Sequence, residues 1–311
     1  MSQEKPTLSN EEFSWLLIPL NRVKREKSWK ICAASPTLKM TNILDKIFAD
    51  KQKELAETKR NLPLPELKLR IGDQAPIRDV FKALNEGKHS KVIAEIKRCT
   101  PFKGELRENF NASEIADDYV KHGAVTLSIL TESNYFGSNI GILEEVRPIA
   151  PIPLLRKDFI SDEYQVYESR AYGADLFLLI ATWLDQSQLT DLLLLGKELG
   201  LPALVETHNE WDMEKAFEAK ASLIGINNRD LTNGKTDLNI ARRLIPMALQ
   251  EPGNTLVCES GIRGREEIEE FEKIGAHAFL IGESLMTSEN IPEKLKILIG
   301  NGQQDSERNE Q

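Results

Sequence analysis

Six segments of this chain close an apolar run, five of them with a charged or amide side chain and the last with a glycine. They are residues 91–97 (KVIAEIK), 153–159 (PLLRKDF), 201–206 (LPALVE), 223–229 (LIGINNR), 255–261 (TLVCESG) and 278–282 (AFLIG). A continuous apolar run is what a strand buried on both faces looks like. An ionisable group that ends such a run stands at a rim, because an unpaired charge deeper inside is costly. Glu95 and Lys97 lie two apart and therefore share one strand face, Lys157 follows Leu155 on one face, and Glu206 follows Leu204 in the same way. A lysine and carboxylates delivered by separate strands to one mouth can pass protons and tune each other's pKa, so Glu95, Lys97, Lys157 and Glu206 are the candidates for acid–base catalysis. The alternative is a set of rim ion pairs without chemistry. Ser260-Gly261 and Gly282-Glu283 end the last two runs, where small residues let backbone N–H groups approach a phosphate.

The elements that must position these groups repeat. Eight apolar runs, at 91–97, 124–130, 152–157, 175–181, 202–207, 222–227, 255–259 and 278–282, start 20 to 33 residues apart. Segments of helical period separate them, such as 113–120, 188–195 and 265–273, and Gly123, Gly173, Gly200 and Gly275 each stand between a helical pattern and the next run. Strand, helix, glycine and strand in eight cycles predict a single (β/α)8 (TIM) barrel, with the polar run ends gathered at its C-terminal mouth. A doubly wound open sheet is the competitor, but it calls for a Gly-rich loop after the first strand that this chain lacks. Ile43, Leu44, Ile47, Phe48 and Leu55 form an apolar stripe over 41–59, which predicts an extra N-terminal helix covering the mouth, capped by Thr41 or Asn42. A short helix is expected over 79–86.

Composition bounds the function. A net charge of −9 and a sequence pI near 5.2 argue against non-specific nucleic-acid binding, while leaving room for a local positive pocket. No apolar stretch is long enough to span a bilayer. The apolar run 14–20 is preceded by Glu11 and Glu12 and lacks a small-residue cleavage motif, so it is not a secretory signal. Cys32, Cys99 and Cys258 show no CxxC spacing and read as free thiols, and the four histidines form no metal-binding cluster. A cytoplasmic protein is expected, for which the Asn111-Ala-Ser113 sequon is a chance match, and as an assembly a monomer or weak homo-oligomer. Residues 1–39 carry seven Lys/Arg against four Glu and read as an extension outside the barrel domain of 40–300, with 301–311 as a polar tail.

Taken together, the motifs resemble indole-3-glycerol-phosphate synthase. They are Glu95-x-Lys97 with Pro101, 130–136 (LTESNYF), 156–160 (RKDFI), 205–208 (VETH), 225–231 (GINNRDL), 259–262 (ESGI) and 281–286 (IGESLM). The resemblance runs from about Thr41 to about Leu298, begins just after Met40, a candidate alternative start, and leaves 1–39 unmatched. It implies closure of 1-(2-carboxyphenylamino)-1-deoxyribulose 5-phosphate to indole-3-glycerol phosphate with loss of CO2 and water, in tryptophan biosynthesis, without cofactor or metal. That chemistry needs a cationic acid to polarise a carbonyl, for which Lys157 is best placed, and carboxylates to assist as a proton and a hydroxyl leave, which Glu206 and Glu95 supply. Lys97, Arg229 and the glycine turns suit the substrate's two anionic groups. By the same resemblance Phe136 packs the aromatic ring, and Thr100, Asn227 and Ser260 line the pocket. One departure stands out: where the family usually reads Ser-Pro-Ser, this chain has Thr100-Pro101-Phe102. His208 reads as a structural or supporting residue. Phosphoribosylanthranilate isomerase would instead expect a Cys and Asp pair, for which Cys99 is poorly placed, and a barrel retired to a binding role would have lost Lys157, Glu206 or Glu95.

Overall fold

The computed structural model describes residues 43–301. The readings of 1–39, Met40, the caps at Thr41 and Asn42, Cys32 and the tail beyond Asn301 lie outside them. Eight parallel strands close into a barrel: β1 (Lys91–Ile96), β2 (Thr126–Leu130), β3 (Leu154–Lys157), β4 (Leu176–Ile180), β5 (Ala203–Thr207), β6 (Leu223–Asn227), β7 (Thr255–Glu259) and β8 (Ala278–Ile281). Each pairs with its sequence neighbours, and β1 closes the ring against β8 with Lys91 opposite Ala278. All eight sit within two residues of the predicted runs, because strands covered on both faces leave the uninterrupted apolar pattern from which they were read.

The two faces of each strand sort the core. Val92, Ala94 and Ile96 point outward into the layer between strands and helices, together with Tyr119, Leu127, Phe177 and Phe279. Ile93, Leu155, Leu204, Leu223 and Val257 point inward and fill the barrel. Glu95, Lys157, Glu206, Asn227 and Glu259 each stand two residues beyond one of these inward positions or continue its face, so the pleat carries them to the C-terminal mouth. Gly123, Gly173, Gly200 and Gly275 all take positive φ between a helix and its following strand, as the sequence pattern requires.

Among the described residues three helices precede the barrel: α1 (Ile43–Asn61), α2 (Leu64–Gly72) and α3 (Val80–Asn85). The predicted stripe of α1 packs into the barrel-mouth core through Leu44, Ile47 and Phe48, with the Phe48 ring stacked 3.9 Å from Trp183. Buried Lys51 anchors the helix by an ion pair of 3.0 Å to Asp158, the residue after Lys157. The helix α2 was not expected, because Pro63 and Pro65 punctuate its start. They fall at the cap and in the first turn, where a missing N–H costs nothing, and Leu67 buries against Leu55, Tyr164 and Ala171. Asn111 of the sequon accepts backbone hydrogen bonds from Ser113 and Glu114 as a helix cap. No described helix is long and apolar enough to cross a membrane.

Candidate active site

The end of β3 carries the centre of the site. Lys157 Nζ lies 2.8 Å from Glu206 Oε2 at the end of β5 and 2.9 Å from Glu259 Oε2 at the end of β7, with both carboxylates buried. Burial works against the lysine's charge, but Glu206, Glu259 and Glu95 outweigh it and hold the pKa above the ordinary lysine value. Burial likewise opposes ionisation of Glu206, yet Lys157 and His208 keep it well below the carboxylate range. For Glu259 burial wins: Lys157 pulls its pKa down, Glu206 pushes it up, and the carboxyl settles at about 7. One lysine therefore stands between an ionised carboxylate and one that holds its proton near neutrality.

Glu259 was not singled out in the sequence, where it stood only at the start of the Ser260-Gly261 turn. The signal was available, since it follows Val257 on the inward face as Glu206 follows Leu204. Gly225 makes room for it: a Cβ there would fall 2.1 Å from Glu259 Oε1.

Glu95 and Lys97 form an ion pair on β1, as their shared face implies. The Glu95 carboxylate lies against Gly282, where a Cβ would come within 2.0 Å of Oε2. Gly282 is thus small for the sake of the carboxylate as well as any phosphate. Asn227 Oδ1 accepts the backbone N–H of Arg229 at 3.0 Å, and the Arg229 guanidinium donates to the Gly234 carbonyl at 2.8 Å and to Glu283 at 3.1 Å. The Glu283 carboxylate is held by Arg229 and Lys103, and its backbone N–H lies in the first turn of the helix Glu283–Met286. Ser260 and Gly261 have φ of 63° and 83°, which turns the chain sharply at the mouth and leaves little space for a Cβ on Gly261.

These groups line one cavity of about 1080 Å3, counted out into its open mouth, which gathers all the sequence-predicted residues: Glu95, Lys97, Thr100, Phe136, Lys157, Glu206, Asn227, Arg229, Ser260, Gly261, Gly282 and Glu283. Its apolar wall is made by Phe136, Phe159, Leu178, Ile180 and Leu231, with Leu44 and Ile47 of α1 over it. Phe159 was not foreseen; its ring lies 6.3 Å from that of Phe136. Phe102, the departure from Ser-Pro-Ser, lines the cavity and packs its ring against Gly234 of the loop after β6. Cys99, on which the isomerase reading depended, turns its thiol toward the Tyr135 carbonyl. Among the described residues no group of three or more His, Cys, Asp or Glu is arranged to hold a metal ion.

Behind the wall runs a buried polar network that the sequence did not reveal. Asp158 pairs with Lys51 and Arg156 and accepts from Thr131, which keeps its carboxyl far below the usual range against the opposing effect of burial, and Arg156 pairs in turn with Glu168 at 2.8 Å. This network fixes the strand end next to Lys157.

Comparison with known proteins bears on the fold and on the family. Solved barrels share the fold at low identity: 3-hexulose-6-phosphate synthase superposes with a TM-score of 0.56 at 16% identity, covering 68% of this chain and 98% of that one. KGPDC from Streptococcus mutans gives 0.53 at 15%, covering 67% and 95%. By sequence the relation is much closer. An indole-3-glycerol phosphate synthase from Campylobacter jejuni is 42% identical over 260 residues, 83% of this chain and 100% of that protein. One from Burkholderia ambifaria is 41% identical over 259 residues, 82% and 98% respectively. The sequence model of the same family matches residues 44–298, the whole barrel with α1, and the chain belongs to the indole-3-glycerol phosphate synthase family.

Proposed function

We propose that the barrel mouth closes 1-(2-carboxyphenylamino)-1-deoxyribulose 5-phosphate, with Lys157 as the acid and Glu206 and Glu259 as its two differently protonated partners. The family's place in tryptophan biosynthesis sets the overall reaction. The aromatic ring lies against Phe136 and Phe159, and the phosphate reaches the turns at Ser260-Gly261 and Gly282-Glu283, where Arg229 stands nearby. Lys97, paired with Glu95, faces the substrate carboxylate.

In the first step the ring carbon that bears the carboxylate attacks the ketone carbon while Lys157 Nζ gives a proton to the ketone oxygen. The bond to the carboxylate then breaks, CO2 leaves, and its electron pair restores the aromatic ring. Dehydration follows: the new hydroxyl departs as water with a proton from the acid side of the site, and Glu206 accepts the proton lost from the neighbouring CH2 carbon. Glu259, with its carboxyl at about 7, can resupply the lysine across 2.9 Å. Glu95 is the further carboxylate within reach of this second stage. All these groups come from one chain, in keeping with a monomer or weak homo-oligomer, and a charged metabolite of this kind suits a cytoplasmic setting.

The observation that carries the reading is one lysine held at 2.8 and 2.9 Å between two buried carboxylates, in a cavity with an aromatic wall on one side and glycine turns on the other. Purified protein mixed with the substrate should develop indole fluorescence, and Glu206→Gln should slow this by about 100-fold or more, the scale for a positioned acid or base. No fluorescence from wild type, or full activity in the variant, contradicts the reading.

A further inference from the structure

Lys157 does not distinguish the two carboxylates that flank it, since its Nζ lies nearly equidistant from Glu206 Oε2 and Glu259 Oε2. Two buried carboxylates around one ammonium leave excess negative charge, so the pair holds a proton that must sit on one of them. Their other oxygens differ. Glu259 Oε1 is buried without a hydrogen-bond partner, facing Gly225. Glu206 Oε1 lies 3.3 Å from His208 Nε2, an ion-pair contact off the hydrogen-bond axis.

The far side of His208 settles its charge. Its Nδ1 lies 3.1 Å from Thr182 Oγ1, and the single hydroxyl proton of Thr182 is donated to Asp212. The Thr182 oxygen therefore accepts from Nδ1–H, and Nε2, facing a carboxylate, also carries its proton. An imidazole with both nitrogens turned to acceptors is an imidazolium. Asp212 Oδ2, 3.7 Å from Nδ1, supplies its countercharge and accepts the backbone N–H of His208 at 3.0 Å.

We propose that His208 is a positioning residue that decides which carboxylate of the pair is ionised, holding Glu206 as the base and leaving the shared proton on Glu259 as the acid. The inference rests on the roles assigned above to Lys157, Glu206 and Glu259. The other charges packed around the pair do not supply this asymmetry. Glu95 acts on Lys157 from β1 and is itself paired with Lys97. Lys215, on the helix that carries Asp212, gives its ammonium to the carbonyls of Ala181 and Leu184. Among the described residues His208 is the one cation that contacts Glu206 and not Glu259. Burial opposes its charge, but Asp212 and Glu206 outweigh burial and carry it to about 9, in keeping with the geometry.

The test is the pH profile of kcat for full-length His208→Gln, which keeps an N–H donor and removes the charge. His208 does not line the cavity, so KM should stay close to wild type. Without the cation Glu206 takes a proton at higher pH, and the acidic limb of the profile should move up by about one pH unit or more, the effect of losing an adjacent opposite charge. The plateau should fall as well, because fewer molecules carry the proton on Glu259. Asp212→Asn, which leaves the imidazole but strips its countercharge, should move the limb the same way by less. In wild type, nitrogen NMR of His208 should show both ring nitrogens protonated at neutral pH, a readout that does not depend on any variant folding. A His208→Gln profile that superimposes on wild type in position, or a neutral His208 at neutral pH, overturns the proposal. Either result beside an inactive Glu206→Gln leaves the proposed function standing, whereas an active Lys157→Ala removes that function reading itself.

Discussion

Replacing Glu259 with Gln should make the protein more stable and nearly inactive. The carboxyl is raised from 4.5 to about 7, chiefly by burial, which at about 1.36 kcal/mol per pH unit corresponds to about 3 kcal/mol against its ionised form in the folded chain. The folded chain holds this proton more tightly than the unfolded chain does. Its stabilising effect is thus complete below about pH 4.5 and is lost as pH rises through about 7. Glutamine, the neutral analogue of the protonated acid, has no such loss. The variant should match wild type near pH 4.5 and exceed it increasingly toward about pH 8, by up to about 3 kcal/mol, or about 6 °C in Tm at about 2 °C per kcal/mol for a chain of this size. Thermal unfolding of both proteins across that range reads the difference directly, and groups that do not interact with Glu259 cancel in it. Turnover should fall by about 100-fold or more, since the proton source is gone. A variant no more stable than wild type at about pH 8 would refute the reasoning that Glu259 is held against ionisation.

Lys157→Ala should lower kcat by about 100-fold or more in the fluorescence assay, and near-normal turnover would remove Lys157 from the mechanism. Gly282→Ala should lower kcat as well as raise KM in steady-state kinetics, because its Cβ would fall 2.0 Å from the Glu95 carboxylate. Gly261→Ala should act mainly on KM, since its Cβ would instead meet Leu238 at 2.8 Å and displace the turn. Lys51→Met should destabilise the protein by about 3 kcal/mol in urea titration, the lower end for breaking a buried ion pair, because Arg156 and Thr131 still hold Asp158.

The strands and the inward parity of the acid–base groups were legible in the sequence for one physical reason. A strand covered on both faces reads as an unbroken apolar run, so Glu95, Lys157 and Glu206 stood out at its end. Glu259 obeyed the same parity but was hidden by the Ser260-Gly261 turn that follows it, which drew the reading toward phosphate. Lys51 falls within the apolar stripe of α1, between Phe48 and Leu55, and no local pattern shows what pairs with a charge there. Lys51 is buried only because Asp158, more than a hundred residues on, lies beneath it. Arg156 was equally opaque: it has the opposite parity to Lys157 and meets Glu168 in the outer layer. The inequality between Glu206 and Glu259 depends on neighbours from four strands and a helix, and no local pattern encodes it.

The central claim is that Lys157 delivers a proton to the substrate ketone. A crystal structure of Glu206→Gln with the intact substrate bound tests it most directly. The ketone oxygen should lie within about 2.6–3.2 Å of Lys157 Nζ. The aromatic ring should rest against Phe136 and Phe159, with the phosphate at Gly261 and Gly282. A bound substrate with its ketone out of reach of Lys157, or with phosphate and ring exchanged between the two ends of the cavity, would contradict it.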